Sequence, residues 1–206
     1  MSATRHDVRV ALPPRTTRRL GLALSASAVL VSIACGISAR KAYALGQGTP
    51  IEEQPTDAVL PWLVAALVLL LVALLLRMFA AICELLWLER TWANLPETLR
   101  KVGPIDKVNG AMIIGLSLVP GLAWVWKLGV VLGIADGFER IRSHTPFRAR
   151  IPRRLGMSAV IAGWVPGLNV YLAPFLWEVF ATHIDGAVTE LYATLEAPAV
   201  KAAAPT

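Results

Sequence analysis

The apolar positions of this chain come in blocks rather than at a regular helical or strand period. Leu20 to Ala39 is 20 residues without a charge, and Val59 to Leu76 is 18 more, mostly Leu, Val and Ala. A helix needs ~20 apolar residues to cross ~30 Å of hydrocarbon. A core helix of a soluble domain keeps a polar face, and neither block has one. Inside lipid each peptide group must be bonded within its own segment, so both blocks are predicted to be helices. The apolar segments are placed at 20–39 and 59–83, joined by a polar loop over 40–58 that holds Pro50, Pro55 and three acids. Ala28, Ser32 and Gly36 are four apart in the first segment and form its expected helix-packing face. The second is Leu-rich and expected to face lipid, with Trp62 near its entry as interfacial tryptophans are.

The pattern changes after Arg77. Leu85, Leu88, Trp92, Leu95 and Leu99 recur at spacings of 3 and 4, with Glu89, Arg90 and Glu97 off the stripe. This predicts an amphipathic segment over 84–102, at the membrane surface or under the bundle, divided at Pro96 and ended by Gly103-Pro104.

Two further apolar segments follow, 110–135 and 156–182. Each has about ten apolar residues, then Val-Pro-Gly-Leu, then a longer apolar run and an Asp-Gly pair. The breaks are Pro120-Gly121 and Pro166-Gly167, 46 residues apart. Duplicated broken segments suit either kinked spans or re-entrant hairpins. Charge weighs between them. Lys plus Arg number five in 1–19, two in 40–58, four in 84–109, six in 136–156 and one in the C-terminal tail. Full spans put ten inside and eight outside, whereas hairpins put sixteen inside and two outside. Basic loops stay on the cytoplasmic side, so hairpins are favoured, with both termini cytoplasmic. About ten residues of helix reach only ~15 Å, which is mid-membrane.

The expected fold is therefore all-α, an integral membrane helical bundle with two spanning helices and two Pro-Gly-broken repeats, either re-entrant hairpins or kinked spans. Its membrane domain covers 20–195, between a basic cytoplasmic tail over 1–19 and a disordered Ala- and Pro-rich tail over 196–206. Arg18-Arg19 before an apolar run, with Ala42-Tyr43-Ala44 after it, also fits a cleaved export signal. A retained anchor is the favoured reading, because 20 residues exceed a usual signal core.

The formal charge of +6 would suggest nucleic acid in a soluble protein. Here the basic residues flank apolar segments, and topology accounts for them without nucleic acid. Arg148, Arg150, Arg153 and Arg154 are candidates for contact with anionic lipid head groups. Gly129, Gly133 and Gly137 make a second helix-packing stripe, on a four-residue ladder with Gly121 and Val125, its partner helix undefined. Lys127 is the one charge inside an apolar repeat, a functional candidate by default. Trp124 and Trp126 beside it favour a snorkelling side chain. Asn169 follows the second break, as an N-cap of the next helix or as a ligand contact. Glu178 and His183 are expected to be solvated at the interface. Cys35 and Cys83 should lie ~30 Å apart on opposite sides of the bilayer, beyond disulfide reach. The chain has no phosphate loop, no metal spacing among His6, His144 and His183, and no Ser-His or Cys-His arrangement. Neither an enzyme nor a cofactor is expected.

Leu88-Glu-Arg-Thr-Trp92-Ala-Asn-Leu-Pro96, Pro104-Ile-Asp-Lys-Val108 leading into Val119-Pro120, and Val165-Pro166-Gly-Leu-Asn169-Val-Tyr171 cover about half of the chain. This stretch resembles a group of uncharacterised bacterial multi-pass membrane proteins with an apolar-Pro-x-x-Asn-x-aromatic signature. Asn169 keeps the signature Asn, whereas the first repeat has Ala123 there. The resemblance implies four apolar segments in a bacterial inner membrane and no particular activity. The leading functional expectation is a non-enzymatic accessory or scaffold subunit. Its partners would be the lipid bilayer and other membrane helices, in a homo-oligomer or a larger complex. The alternative is a small oligomeric channel or transporter built on the broken repeats.

Overall fold

A computed structural model describes residues 15–47, 56–145 and 147–203, with side chains over 16–47, 57–145 and 147–194. Most of the expected basic tail, the middle of the 40–58 loop and residues 204–206 lie outside the described residues. The described residues are helical, with one isolated β-bridge between Val102 and Ile105. The elements are α1 (Arg15–Gly46), α2 (Thr56–Ala93), a 3-10 turn (Glu97–Leu99), α3 (Gly110–Ser117), α4 (Ala123–Arg142), α5 (Arg153–Ala162), α6 (Leu168–Tyr171) and α7 (Ala173–Ala203). Two of them, over Thr16–Gly46 and Asp57–Ala93, are long and apolar enough to cross a membrane. The chain divides into two compact units, Arg19–Cys83 and the remainder, which includes Arg18.

The Arg19–Cys83 unit pairs α1 with α2 in opposite directions. Gly21 lies against Cys83, Ser25 accepts from Arg77 at 3.3 Å, Cys35 donates to the Ala66 carbonyl at 3.3 Å, and Lys41 lies 4.3 Å above the Trp62 ring. Cys35 and Cys83 are thus well separated along the pair. The α1 seam is Gly21, Ser25, Ala28, Ser32, Cys35, Ser38 and Ala42, all small and all buried or half-buried. Ala28 and Ser32 belong to it, but Gly36 does not: it is exposed, and a methyl added there would meet nothing within 4 Å. The expected four-residue ladder is corrected for a geometric reason. Each residue turns a helix by ~100°, so steps of four drift by ~40° apiece, while alternating steps of three and four stay in line. On α2, Ala73 and Ala80 are buried, whereas Leu67, Leu71, Leu74 and Leu75 are more than half exposed. That apolar outer face is compatible with a membrane or with another protein surface.

In the other unit α2 runs on from Glu84 without a break and ends at Ala93, three residues before Pro96. Proline lacks the N–H a helix needs and disfavours helix in the residue before it. Arg100 closes the end, donating to the Ala93 carbonyl at 2.9 Å and the Leu95 carbonyl at 2.8 Å. Leu88, Trp92 and Leu95 are fully buried here, as is Trp87 from outside the stripe. Of the two places expected for the amphipathic segment over 84–102, the apolar stripe takes the one against the bundle, with Arg90 and Glu97 exposed off it. The stripe meets Val130, Ile134 and Phe138 of α4 and Phe180, Ile184 and Leu191 of α7 in one protein core.

Both Pro-Gly segments fold as helix, sharp turn, helix. Asn109 caps α3 by accepting from the Met112 N–H at 2.8 Å. α3 then runs eight residues and α5 ten, each stopping before its Pro-Gly turn. Gly121 and Gly167 take φ of +81° and +86°, the left-handed region open to glycine. Beyond the second turn the chain has reversed: a methyl at Gly156 of α5 would lie 2.7 Å from the Phe180 ring of α7 and 2.7 Å from Val131 of α4. α3 likewise packs on α4. At the chain ends the helices extend beyond the sequence expectation. α1 begins at Arg15, inside the expected tail. α7 is described as helix to Ala203.

Candidate functional site: a paired charge layer

The polar residues that adjoin the apolar runs meet in one layer of the second unit. Arg18 stands at the start of α1, Glu84 and Trp87 on α2, Lys127 on α4, and Trp177, Glu178 and Asp185 on α7. Glu178 and Asp185 are seven residues apart, two helical turns, and so share a face. Arg18 bridges them: its Nε is 3.0 Å from Glu178 Oε1, and its Nη1 donates to Asp185 Oδ2. The other Asp185 oxygen accepts from Trp87 Nε1 at 2.9 Å. Lys127 Nζ is 2.6 Å from Glu84 Oε2 and 4.4 Å from the Trp177 ring centroid. Trp87 and Trp177 meet edge to face at 5.6 Å, joining the two ion-pair groups.

These side chains are between 11% and 25% exposed, sheltered enough for each charge to need its partner. Two cations face three carboxylates, with indole N–H and indole π-face completing their coordination. No nucleophile or imidazole takes part. Among the described residues no group of three or more His, Cys, Asp or Glu is arranged to hold a metal ion. What this layer does physically is hold Arg18 to α7, and α4 to the end of α2, by specific charge.

The expected snorkelling of Lys127 is corrected: its ammonium turns to Glu84 and Trp177 within the chain. Glu178 is likewise held by Arg18 rather than only solvated, while His183 is exposed and bonds to the Val179 carbonyl at 2.8 Å. Asn169 is not the N-cap residue of α6. Gly167 occupies the N-cap of α6, with no side-chain cap, and Asn169 lies inside that four-residue helix. The glycine stripe of α4 has its partner in the same chain, the end of α2 and the segment after it, met through the Trp92, Leu95 and Val102 side chains and the Lys101 carbonyl. A methyl at Gly129 would lie 2.6 Å from Val102, at Gly133 2.6 Å from the Lys101 carbonyl and 2.9 Å from Trp92, and at Gly137 2.9 Å from Leu95. Arg148, Arg150, Arg153 and Arg154 are all exposed, and Arg153 pairs with Asp136 at 2.9 Å.

Pro120-Gly121 and Pro166-Gly167 occupy exposed turns wrapped in apolar side chains. Leu118, Val125 and Phe175 are more than 60% exposed, and Trp124 and Tyr171 more than half. Trp124 stacks on Trp164 at 5.8 Å, bringing the two turns together. Sequence reasoning did not select Arg18, Glu84 or Asp185. The available signal was that each acid or base lies close to an apolar run, on elements whose charges are complementary. Compared with known protein families, curated proteins and solved structures, the chain has no match.

Proposed function

We propose that this chain is a non-enzymatic integral membrane protein, an accessory or scaffold subunit of a bacterial cytoplasmic membrane. The α1–α2 pair is its anchor, both termini are cytoplasmic, and the two Pro-Gly hairpins re-enter the bilayer from the cytoplasmic side. The observation that carries the reading is the paired charge layer with apolar, exposed turns beyond it. Arg18 is separated by one residue from the apolar run of α1, and Glu84 directly follows the apolar segment 59–83 of α2. Lys127 and Glu178 pair with these same two residues, which supports reading the layer as the level where water gives way to hydrocarbon. The hairpin turns lie past Lys127 and Glu178. Eight residues of α3 and ten of α5 span ~12 and ~15 Å, about half the hydrocarbon thickness. Exposed Leu, Val, Phe and Trp at the turns are costly in water and favourable at that depth. The sixteen-to-two basic bias agrees.

Two measurements test this. With Cys35 and Cys83 replaced by Ala, a cysteine at Ser143 should resist an impermeant thiol reagent in cells whose outer membrane is permeabilised, and react in inverted vesicles. Ready labelling from outside excludes the hairpins. For the scaffold role, the protein extracted in mild detergent should elute with a second membrane subunit or as an oligomer. Vesicles reconstituted with it should hold an ion gradient as long as empty ones do. Collapse of the gradient would transfer the reading to a small oligomeric channel or transporter.

A further inference from the structure

The glycine face of α4 is not completely covered by the 92–102 segment. Beside it runs a cleft of about 310 Å³, lined by Leu99, Lys101, Gly133, Asp136, Arg140 and Arg153 among others. That volume is at the small end of ligand pockets. Glycines keep side chains off its floor. Its cations come from three different elements: Lys101 from the loop after the 3-10 turn, Arg140 from the last turn of α4, and Arg153 from the first turn of α5. Asp136 is the single acid among the lining residues. Two of the cations are engaged only in water-facing pairs, Arg153 with Asp136 at 2.9 Å and Lys101 with Asp106 at 2.9 Å, all four side chains being about half exposed. Such pairs are weak and readily exchanged for a stronger anion.

We propose that this cleft binds a phosphate-bearing ligand, with its phosphate oxygens held by Lys101, Arg140 and Arg153. A phosphate monoester offers three terminal oxygens, one for each cation, and charge-assisted bonds to guanidinium are among the strongest a surface site can form. A carboxylate brings a single negative charge to three cations, where a phosphate monoester brings nearly two. The cleft lies wholly within one unit, so this assignment does not depend on how the hairpins meet the bilayer. It also separates the basic residues into two groups. Arg153 belongs to the cleft, whereas Arg148 and Arg150 lie outside its lining.

The test is calorimetric titration of the protein in neutral detergent with two probes, sn-glycerol 3-phosphate and dioleoyl phosphatidic acid in mixed micelles. Saturable binding of at least one probe is expected. The double variant R140Q/R153Q should weaken it at least tenfold, while R148Q/R150Q should change it less than twofold. All four arginines are exposed, so both variants should keep the parent melting temperature. Binding of the lipid alone identifies a head-group site. Binding of both probes shows that the phosphate itself suffices. If neither probe saturates, or if the two double variants weaken binding equally, the cleft is no site and the attraction is diffuse surface charge.

Discussion

Gly133→Leu should abolish the stable fold of the second unit, seen as aggregation of the detergent-purified variant at a temperature where the parent is intact. At this position the first added carbon is already in conflict. It would lie 2.6 Å from the Lys101 carbonyl oxygen and 2.9 Å from two atoms of the Trp92 ring. The carbonyl belongs to backbone tied by the Val102–Ile105 bridge, and Trp92 is fixed by its N–H bond to the Val108 carbonyl at 2.8 Å. Neither neighbour can swing aside. Overpacking costs ~1–3 kcal/mol where side chains can adjust, and rigid surroundings place this case at or above the upper end. Gly133→Ala should therefore already destabilise. Gly115→Ala is the control, since nothing lies within 4 Å of its added carbon. There the better helix propensity of alanine should be neutral or stabilising by up to ~1 kcal/mol. Equal behaviour of the two alanine variants would refute the close approach at Gly133.

Asp185→Ala should be the most damaging change among the charged residues. Asp185 is 8% exposed and serves both Arg18 and Trp87 Nε1. Its loss leaves a sheltered guanidinium with Glu178 alone and removes the acceptor of a buried indole N–H. Removing one partner of a buried ion pair costs ~3–5 kcal/mol, and the 18% exposure of the Arg18 side chain argues for the lower figure. A loss of ~3 kcal/mol corresponds to a fall of roughly 6–12 °C in melting temperature for a chain of this size. Asp185→Asn keeps an oxygen for the indole and should fall by less. Lys127→Gln removes the partner of Glu84, and with Lys127 one-quarter exposed its cost should lie between these variants and an ordinary surface change. If Asp185→Ala melts with the parent, the charge layer is not a structural tie.

The glycine stripe and Lys127 show what a sequence can and cannot reveal. Gly129, Gly133 and Gly137 are visible as a face that needs a close neighbour, because their spacing is a property of one helix. Their neighbour is not visible: it is the end of α2 and the segment after it, and nothing in local periodicity announces it. Lys127 is visible as an anomaly in an apolar run. Its partner Glu84 is 43 residues away, and that pairing depends on how α4 meets α2. Asn169 illustrates the converse error. A polar residue after a break has the composition of a cap, but the helix that follows the turn starts at Leu168, too early for Asn169 to serve.

The sequence by itself determined that the chain is helical, that two of its helices are long and apolar enough to cross a bilayer, and that two further segments break at Pro120-Gly121 and Pro166-Gly167. These follow from local causes: apolar block length, the missing proline N–H and the left-handed freedom of glycine. Only the tertiary structure decided that the stripe after Cys83 packs against α4 and α7, that Gly36 lies outside the α1 seam, and that Arg18, Glu84, Lys127, Glu178 and Asp185 form one layer. The physical reason is range. A stripe of Leu88, Trp92 and Leu95 must be covered by something, and lipid and protein satisfy it equally until the opposing helices are in place. Ion pairs add a second constraint, because a charge beside hydrocarbon must find its opposite, and which opposite it finds is set by the packing of helices far apart in the chain.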